Sequence, residues 1–187
     1  MSKKLQQISV PLISVFLGIL LGAIVMWIFG YDAIWGYEEL FYTAFGSLRG
    51  IGEIFRAMGP LVLIGLGFAV ASRAGFFNVG LPGQALAGLG GAVEGLGTFQ
   101  NVYVQGSSLA IGFNGMAVSL LAANSPIGIL FAAFLFGVLQ VGAPGMNAAQ
   151  VPSELVSIVT ASIIFFVSVH YLIERFVKPK KQVKGGK

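Results

Sequence analysis

Hydrophobic positions fall along this chain in long runs, separated by short polar interruptions. From Val10 to Gly30 twenty-one consecutive residues carry no charge, enough to span about 31 Å as a helix, the thickness of a bilayer core. Ala57 to Ser72 forms a second, shorter run, with Pro60 suited to the first turn of its helix. Pro126–Ala143 and Val156–Ile173 form two more. The pattern predicts four strong spans at about 10–30, 57–72, 126–143 and 156–173, with two interrupted apolar segments at about 74–93 and 108–124. The fold class expected is all-α: one polytopic transmembrane helix bundle over residues 1–187, with discontinuous or re-entrant segments.

Between the first two runs, Tyr31 to Arg56 carries Asp32, Glu38, Glu39, Glu53, Arg49 and Arg56 among Tyr31, Trp35, Tyr37, Phe41 and Tyr42. Aromatic belts with charges sit at membrane interfaces, so this segment is expected to be part helical and extracytoplasmic. PGMNAAQVP, between the last two runs, is expected to be a tight turn. Gly18 and Gly22 are spaced for close helix approach, although a chain with 27 glycines can produce that spacing by chance.

Composition agrees with this solvent. Of 187 residues, 56% are hydrophobic and 10% charged, with mean hydropathy +0.88, where soluble domains carry about 25% charged residues. With no cysteine, disulfides and thiolate metal sites are excluded. The net charge of +4 is no nucleic-acid footprint, because six of the eleven basic residues lie in the last thirteen positions. Lys3 and Lys4 lie at the other end, so both termini are expected to be cytoplasmic and the number of crossings even. The basic tail adds a modest attraction to anionic lipid. The Val10–Gly30 run is too long for a signal peptide core and lacks a small-residue cleavage pattern, so it is expected to be a retained span.

Enzyme chemistry has few footholds. One histidine, no cysteine and six acids scattered before the final span make no triad, metal cluster or acid–base pair. GLGGAVEGLG does not fit a dinucleotide or P-loop pattern. The chain is therefore expected to be no enzyme and to bind no cofactor. Arg73 and Glu94 are expected near membrane faces and His170 at the interface, since charge at a helix centre is costly.

The polar interruptions carry the candidate chemistry. RAGFFNVGLPGQALAG, from Arg73 to Gly88, places amides, a proline and four glycines where a helix could continue. In hydrocarbon such backbone is tolerated only inside protein or beside a water-filled cavity. GFNGMAVSLLAANSP, Gly112 to Pro126, repeats that chemistry in the other half, and paired interrupted segments point to a transporter's binding site. Candidate path residues are Asn78, Gln84 and Asn114 as hydrogen-bonding groups and Phe76, Phe77 and Phe113 as stacking surfaces, worth roughly 1–3 kcal/mol on a base. The alternative is that the amides cap half-helices and the phenylalanines only pack.

GLGFAVASRAGFFNVGLPGQALAG resembles the glycine-rich signature of permease subunits in bacterial ATP-binding-cassette importers for branched-chain amino acids, ribose and nucleosides. Phe77-Asn78-Val79-Gly80 and Gly83-Gln84 stand where that family shows Phe-Asn-Ile-Gly and Gly-Gln. GFNGMAVSLLAANSPIGILFAAFLFGVLQVGA resembles its second landmark. Pro82, the long first loop and the lysine-rich end are most similar to the nucleoside branch. The resemblance implies a permease in the bacterial cell membrane, working by alternating access. It would pair with a second permease subunit, dock cytoplasmic ATPase subunits, take solute from an extracytoplasmic substrate-binding lipoprotein, and itself bind no ATP. A simple-sugar permease is the alternative. Family members are longer and carry a charged cytoplasmic coupling loop; between Arg73 and Glu154 this chain has only Glu94. A missing middle, joined near residues 85–88, is expected, and a non-transporting scaffold is the reading if ATPase coupling went with it.

Overall fold

The computed structural model describes the backbone of residues 3–73, 88–93, 96 and 110–177, and side chains over 9–73, 88–93, 96 and 111–169. Among these residues every regular element is helical: α1 (Lys3–Ile28), α2 (Ala33–Phe45), α3 (Leu48–Arg73), a stretch at 88–93, α4 (Ala110–Leu121), α5 (Pro126–Gly142), a 3-10 helix (Ala143–Ala149) and α6 (Leu155–Val177). Three described segments, Ser9–Ile28, Leu48–Arg73 and Pro126–Ala149, are long and apolar enough to cross a membrane.

α1 and α6 form one seam. A Cβ on Gly18 would collide with the Ile163 side chain and fall 2.9 Å from its backbone nitrogen, and one on Gly22 would strike Val159. The two glycines are therefore a contact surface, four residues apart on one face. Because Gly18 meets Ile163 while Gly22 meets Val159, the helices run antiparallel, with the start of α1 and the end of α6 on one side of the bundle. The opposite face of α1 exposes Leu12, Phe16, Leu20, Trp27 and Ile28. Outside a bilayer that face would be an aggregation hazard.

α2 lies across the far end of this seam. Asp32 caps it, accepting from the Ile34 and Trp35 amides at 3.0 and 3.1 Å. Its inner face is close-fitting, with Gly36 against Met26, Met146 and Val151, and Leu40 against Gly142. Its outer face exposes Ile34, Trp35, Phe41 and Tyr42, as an interfacial helix does. The Tyr37 hydroxyl donates to the Ile19 carbonyl at 2.8 Å, and burial pushes its pKa up to about 12, so it stays a donor.

Two expectations are corrected here. The segment from Tyr31 to Arg56 is not one interfacial stretch: α3 begins at Leu48 and carries Arg49, Glu53 and Arg56 within it. Pro60 accordingly sits in the middle of α3, buried, rather than in a first turn. Packing against α5 and against residues 88–93 holds the helix through a residue that removes one backbone bond. PGMNAAQVP is not a bare turn either. Most of it winds as the 3-10 helix, which ends at Gln150 in a left-handed conformation (φ 58°).

α3 and α5 form the second seam, also antiparallel, since Ile54 meets Gly137 and Gly65 meets Ile129. Phe136, Leu61, Ile129 and Val118 are buried between these helices and α4. Both seams belong to one core.

Candidate functional site

The second interrupted segment does not break where its glycines stand. Gly112, Phe113, Asn114 and Gly115 are all inside α4, a continuous twelve-residue helix. Gly115 serves close approach: a Cβ there would strike Ile64 of α3. The break comes later, at Ala123 and Asn124, both left-handed (φ 50° and 58°). Helix propensity was a poor guide because packing on Ile64 recovers what glycine costs.

α4 is about 18 Å long, roughly half of a bilayer core. Its Gly115 is level with Ile64 and its end is level with Arg73, so it runs parallel to α3 and begins beside the middle of that helix. The stretch at 88–93 reaches the same place. A Cβ on Gly90 would press on Ile64 and come within 3.1 Å of the Pro60 carbonyl, while Gly59 approaches Val93. Ile64 is thus gripped between Gly90 and Gly115, and elements from both interrupted segments converge on α3 at mid-height. No pattern in the sequence singled out Ile64, which looked like one more apolar position of a span, and Pro60 stood out only as a first-turn proline.

Asn114 is half-buried near the start of α4, and no hydrogen bond joins its amide to another described residue. A free amide at that depth is costly in hydrocarbon, which suits a wet or ligand-facing position. Phe113, 57% exposed, lies with Met116 on the outward side of the helix. Phe76, Phe77, Asn78, Gln84, Glu94 and the junction at 85–88 lie outside the described residues, as does the His170 side chain. Among the described residues no group of three or more acidic or histidine side chains could hold a metal.

Below this level the site is closed by a polar knot. Arg73, the last residue of α3, donates to the Asn124 carbonyl at 2.8 Å. Ser119 donates to the Asn124 side-chain oxygen at 2.9 Å, and the Asn124 amide returns to the Ser119 carbonyl at 2.9 Å. Ser125 caps α5, with Pro126 following at its first position. The beginning of one interrupted segment is therefore tied to the end of the other.

These features define a multi-pass helical membrane protein with a half-length helix ending beside the middle of a full span. Comparison with known proteins identifies its family. The chain is 30% identical over 354 aligned positions to the nucleoside ABC transporter permease protein NupB of Lactococcus lactis subsp. cremoris, a match covering 100% of this chain and 97% of that protein. It therefore belongs to the ABC transporter permease family. It is also 42% identical over 88 residues to the guanosine ABC transporter permease protein NupP of Bacillus subtilis, covering 47% of this chain and 25% of that protein. A glucose ABC transporter permease protein, TsgB13 of Haloferax volcanii, is 26% identical over 158 residues, covering 84% of this chain and 36% of that protein. No family model and no solved structure matches.

The Lactococcus alignment also measures what is absent. It runs over 354 positions and the chain has 187 residues, so at least 167 positions have no counterpart here. This chain reaches both ends of its relative with about half of the residues.

Proposed function

We propose that this chain is the permease subunit of an ATP-binding-cassette importer and forms part of a translocation path for nucleosides. The observation that carries the reading is the end-to-end match to a nucleoside permease, reinforced by the stronger partial match to a guanosine permease. The simple-sugar alternative leans on the more distant glucose permease alone. Asn114, Phe113, Phe76, Phe77, Asn78 and Gln84 are the proposed path residues. Asn114 is the one whose free amide at mid-height is suited to a polar solute. Transport energy would come from separate ATPase subunits, with a second permease and an extracytoplasmic binding lipoprotein completing the assembly. Both termini are proposed to be cytoplasmic, a reading that the basic ends support. The missing positions are proposed to fall at residues 85–88.

The test is co-expression of the tagged chain with the ATPase and second permease of its own organism, purification in detergent, and mass spectrometry of what remains bound. Stoichiometric ATPase and uptake of labelled nucleoside are expected. Asn114→Leu should then lower uptake about tenfold, the worth of one hydrogen bond, with assembly unchanged. Assembly with no uptake would instead mark a non-transporting scaffold, the second reading that the missing positions make concrete.

A further inference from the structure

α3 meets elements of both interrupted segments through one side chain. Ile64 is buried, and its two branches go to different places. A Cβ on Gly90 would stand 2.7 Å from Ile64 Cγ1 and 3.3 Å from Cδ1, whereas one on Gly115 would strike Ile64 Cγ2. One arm of the isoleucine thus meets the stretch at 88–93 and the other meets α4. In a helix a β-branched side chain has one strongly preferred χ1, so the backbone of α3 fixes the directions of both arms.

Each element has its own seat on this side chain. Gly90 is the one buried residue of 88–93, and beyond Ile64 it rests near the Pro60 carbonyl, 3.1 Å from its added Cβ. Val93, by contrast, makes only an ordinary contact with the added Cβ of Gly59, at 3.7 Å. On the α4 side, Gly65 leaves room for the Gly115 carbonyl, 3.4 Å from where a Gly65 Cβ would be. Asn114 precedes Gly115 in the same turn of α4, so the fit of Gly115 on Ile64 sets where the Asn114 backbone stands.

We infer that Ile64 is a positioning residue of the proposed path: its Cγ1 arm spaces residues 88–93 from α3, and its Cγ2 methyl places α4 and, with it, Asn114. Shape matters here more than bulk. Valine keeps both γ carbons on the same preferred χ1, whereas leucine keeps the atom count and loses the fork at Cβ. The path role of Asn114 rests on the nucleoside reading; the placing of the two elements does not.

The chain has no native cysteine, so spin labels can be set by cysteine substitution at Phe55, Leu89 and Met116, each exposed, in the full chain. Pulsed electron spin resonance then reads Phe55–Leu89, from α3 to 88–93, and Phe55–Met116, from α3 to α4. Ile64→Val should leave both distances as in the parent. Ile64→Leu should move Phe55–Met116 by about 1.5 Å, one carbon–carbon bond, and leave Phe55–Leu89 in place, the unmoved pair showing that the fold is kept. Ile64→Ala should move both. In the assembled transporter Ile64→Leu should raise the KM for nucleoside by up to about tenfold, the worth of one hydrogen bond, with the maximal rate kept. It should add nothing on an Asn114→Leu background, because it acts through that residue.

Three results would overturn the inference. Leucine behaving as the parent while valine does not would mean that bulk alone counts, as in an ordinary core where volume-conserving swaps are tolerated best. Distances unchanged in Ile64→Ala would mean that other contacts seat the two glycines. A fully additive loss on the Asn114→Leu background would sever Ile64 from Asn114. A parent that takes up no nucleoside would sink the nucleoside reading alone, with the distances still deciding what Ile64 places.

Discussion

The two seams of this bundle are closed by different chemistry. Between α1 and α6 the contact is made by Gly18 and Gly22 lying against Ile163 and Val159, with Tyr37 reaching in from α2. Between α3, α4 and α5 glycines also allow approach, but the end is tied by Arg73, Ser119 and Asn124 around two left-handed residues. Among the described residues the first is an apolar contact, with no left-handed residue and no charged side chain in it. The second has polar groups, unfavourable dihedrals and a half-length helix. Under the proposed transport role, the second seam, with its left-handed turn and half-length helix, is the better candidate for a part that rearranges.

Breaking the first seam should have the largest effect. Gly18→Leu with Gly22→Leu drives two side chains into Ile163 and Val159, where overpacking costs about 1–3 kcal/mol per site. The helices cannot re-close, because one obstruction is the Ile163 backbone itself. The chain has no native cysteine, so Ser14→Cys with Val167→Cys provides a clean reporter. Oxidation should cross-link that pair in the parent and not in the double leucine variant. Cross-linking that persists would mean the glycines are incidental.

Tyr37→Phe sharpens the comparison from the same side. It removes the hydroxyl bond to the Ile19 carbonyl and should cost about 1 kcal/mol, read as a lower unfolding midpoint in detergent. The residual Ile19 carbonyl keeps its helical role, so the fold should remain. Arg73→Gln tests the other seam. Its guanidinium is exposed, so the bond to Asn124 is worth less than a buried charged one, again about 1 kcal/mol. The informative readout is local: hydrogen exchange should rise over 119–125 and stay unchanged along α1. A uniform rise would remove the distinction between the seams.

How much of this was legible beforehand follows the same division. The apolar runs announced helices and solvent, because a bilayer imposes length and hydropathy on any span. The Gly18–Gly22 spacing announced a contact surface but not its partner, since many helices could have accepted it. GFNG was misread as a break because glycine and asparagine disfavour an isolated helix, whereas here Gly115 is what lets α4 lie on Ile64. Pro60 misled for the same reason. The boundary there was legible, since the segment was expected to end at about 124 and the next span to begin at Pro126; only the left-handed turn at Ala123 and Asn124 had no glycine to announce it. Local preference fails where tertiary contact repays its violation.

Ala123 provides the smallest and most discriminating test. An alanine at φ 50° costs about 1–2 kcal/mol relative to right-handed backbone, and glycine relieves that cost. Glycine in turn loses about 0.4–1 kcal/mol to the greater freedom of the unfolded chain. The balance favours Ala123→Gly by about 0.5 kcal/mol, a rare substitution to glycine that should raise the unfolding midpoint. In α4 the sign reverses: Ala117→Gly, at a buried helical position, should lower stability by about 1 kcal/mol. Opposite signs six residues apart would fix the helix end between them. Equal losses would mean that α4 continues past Leu121 and that the strain assigned to the turn is not there.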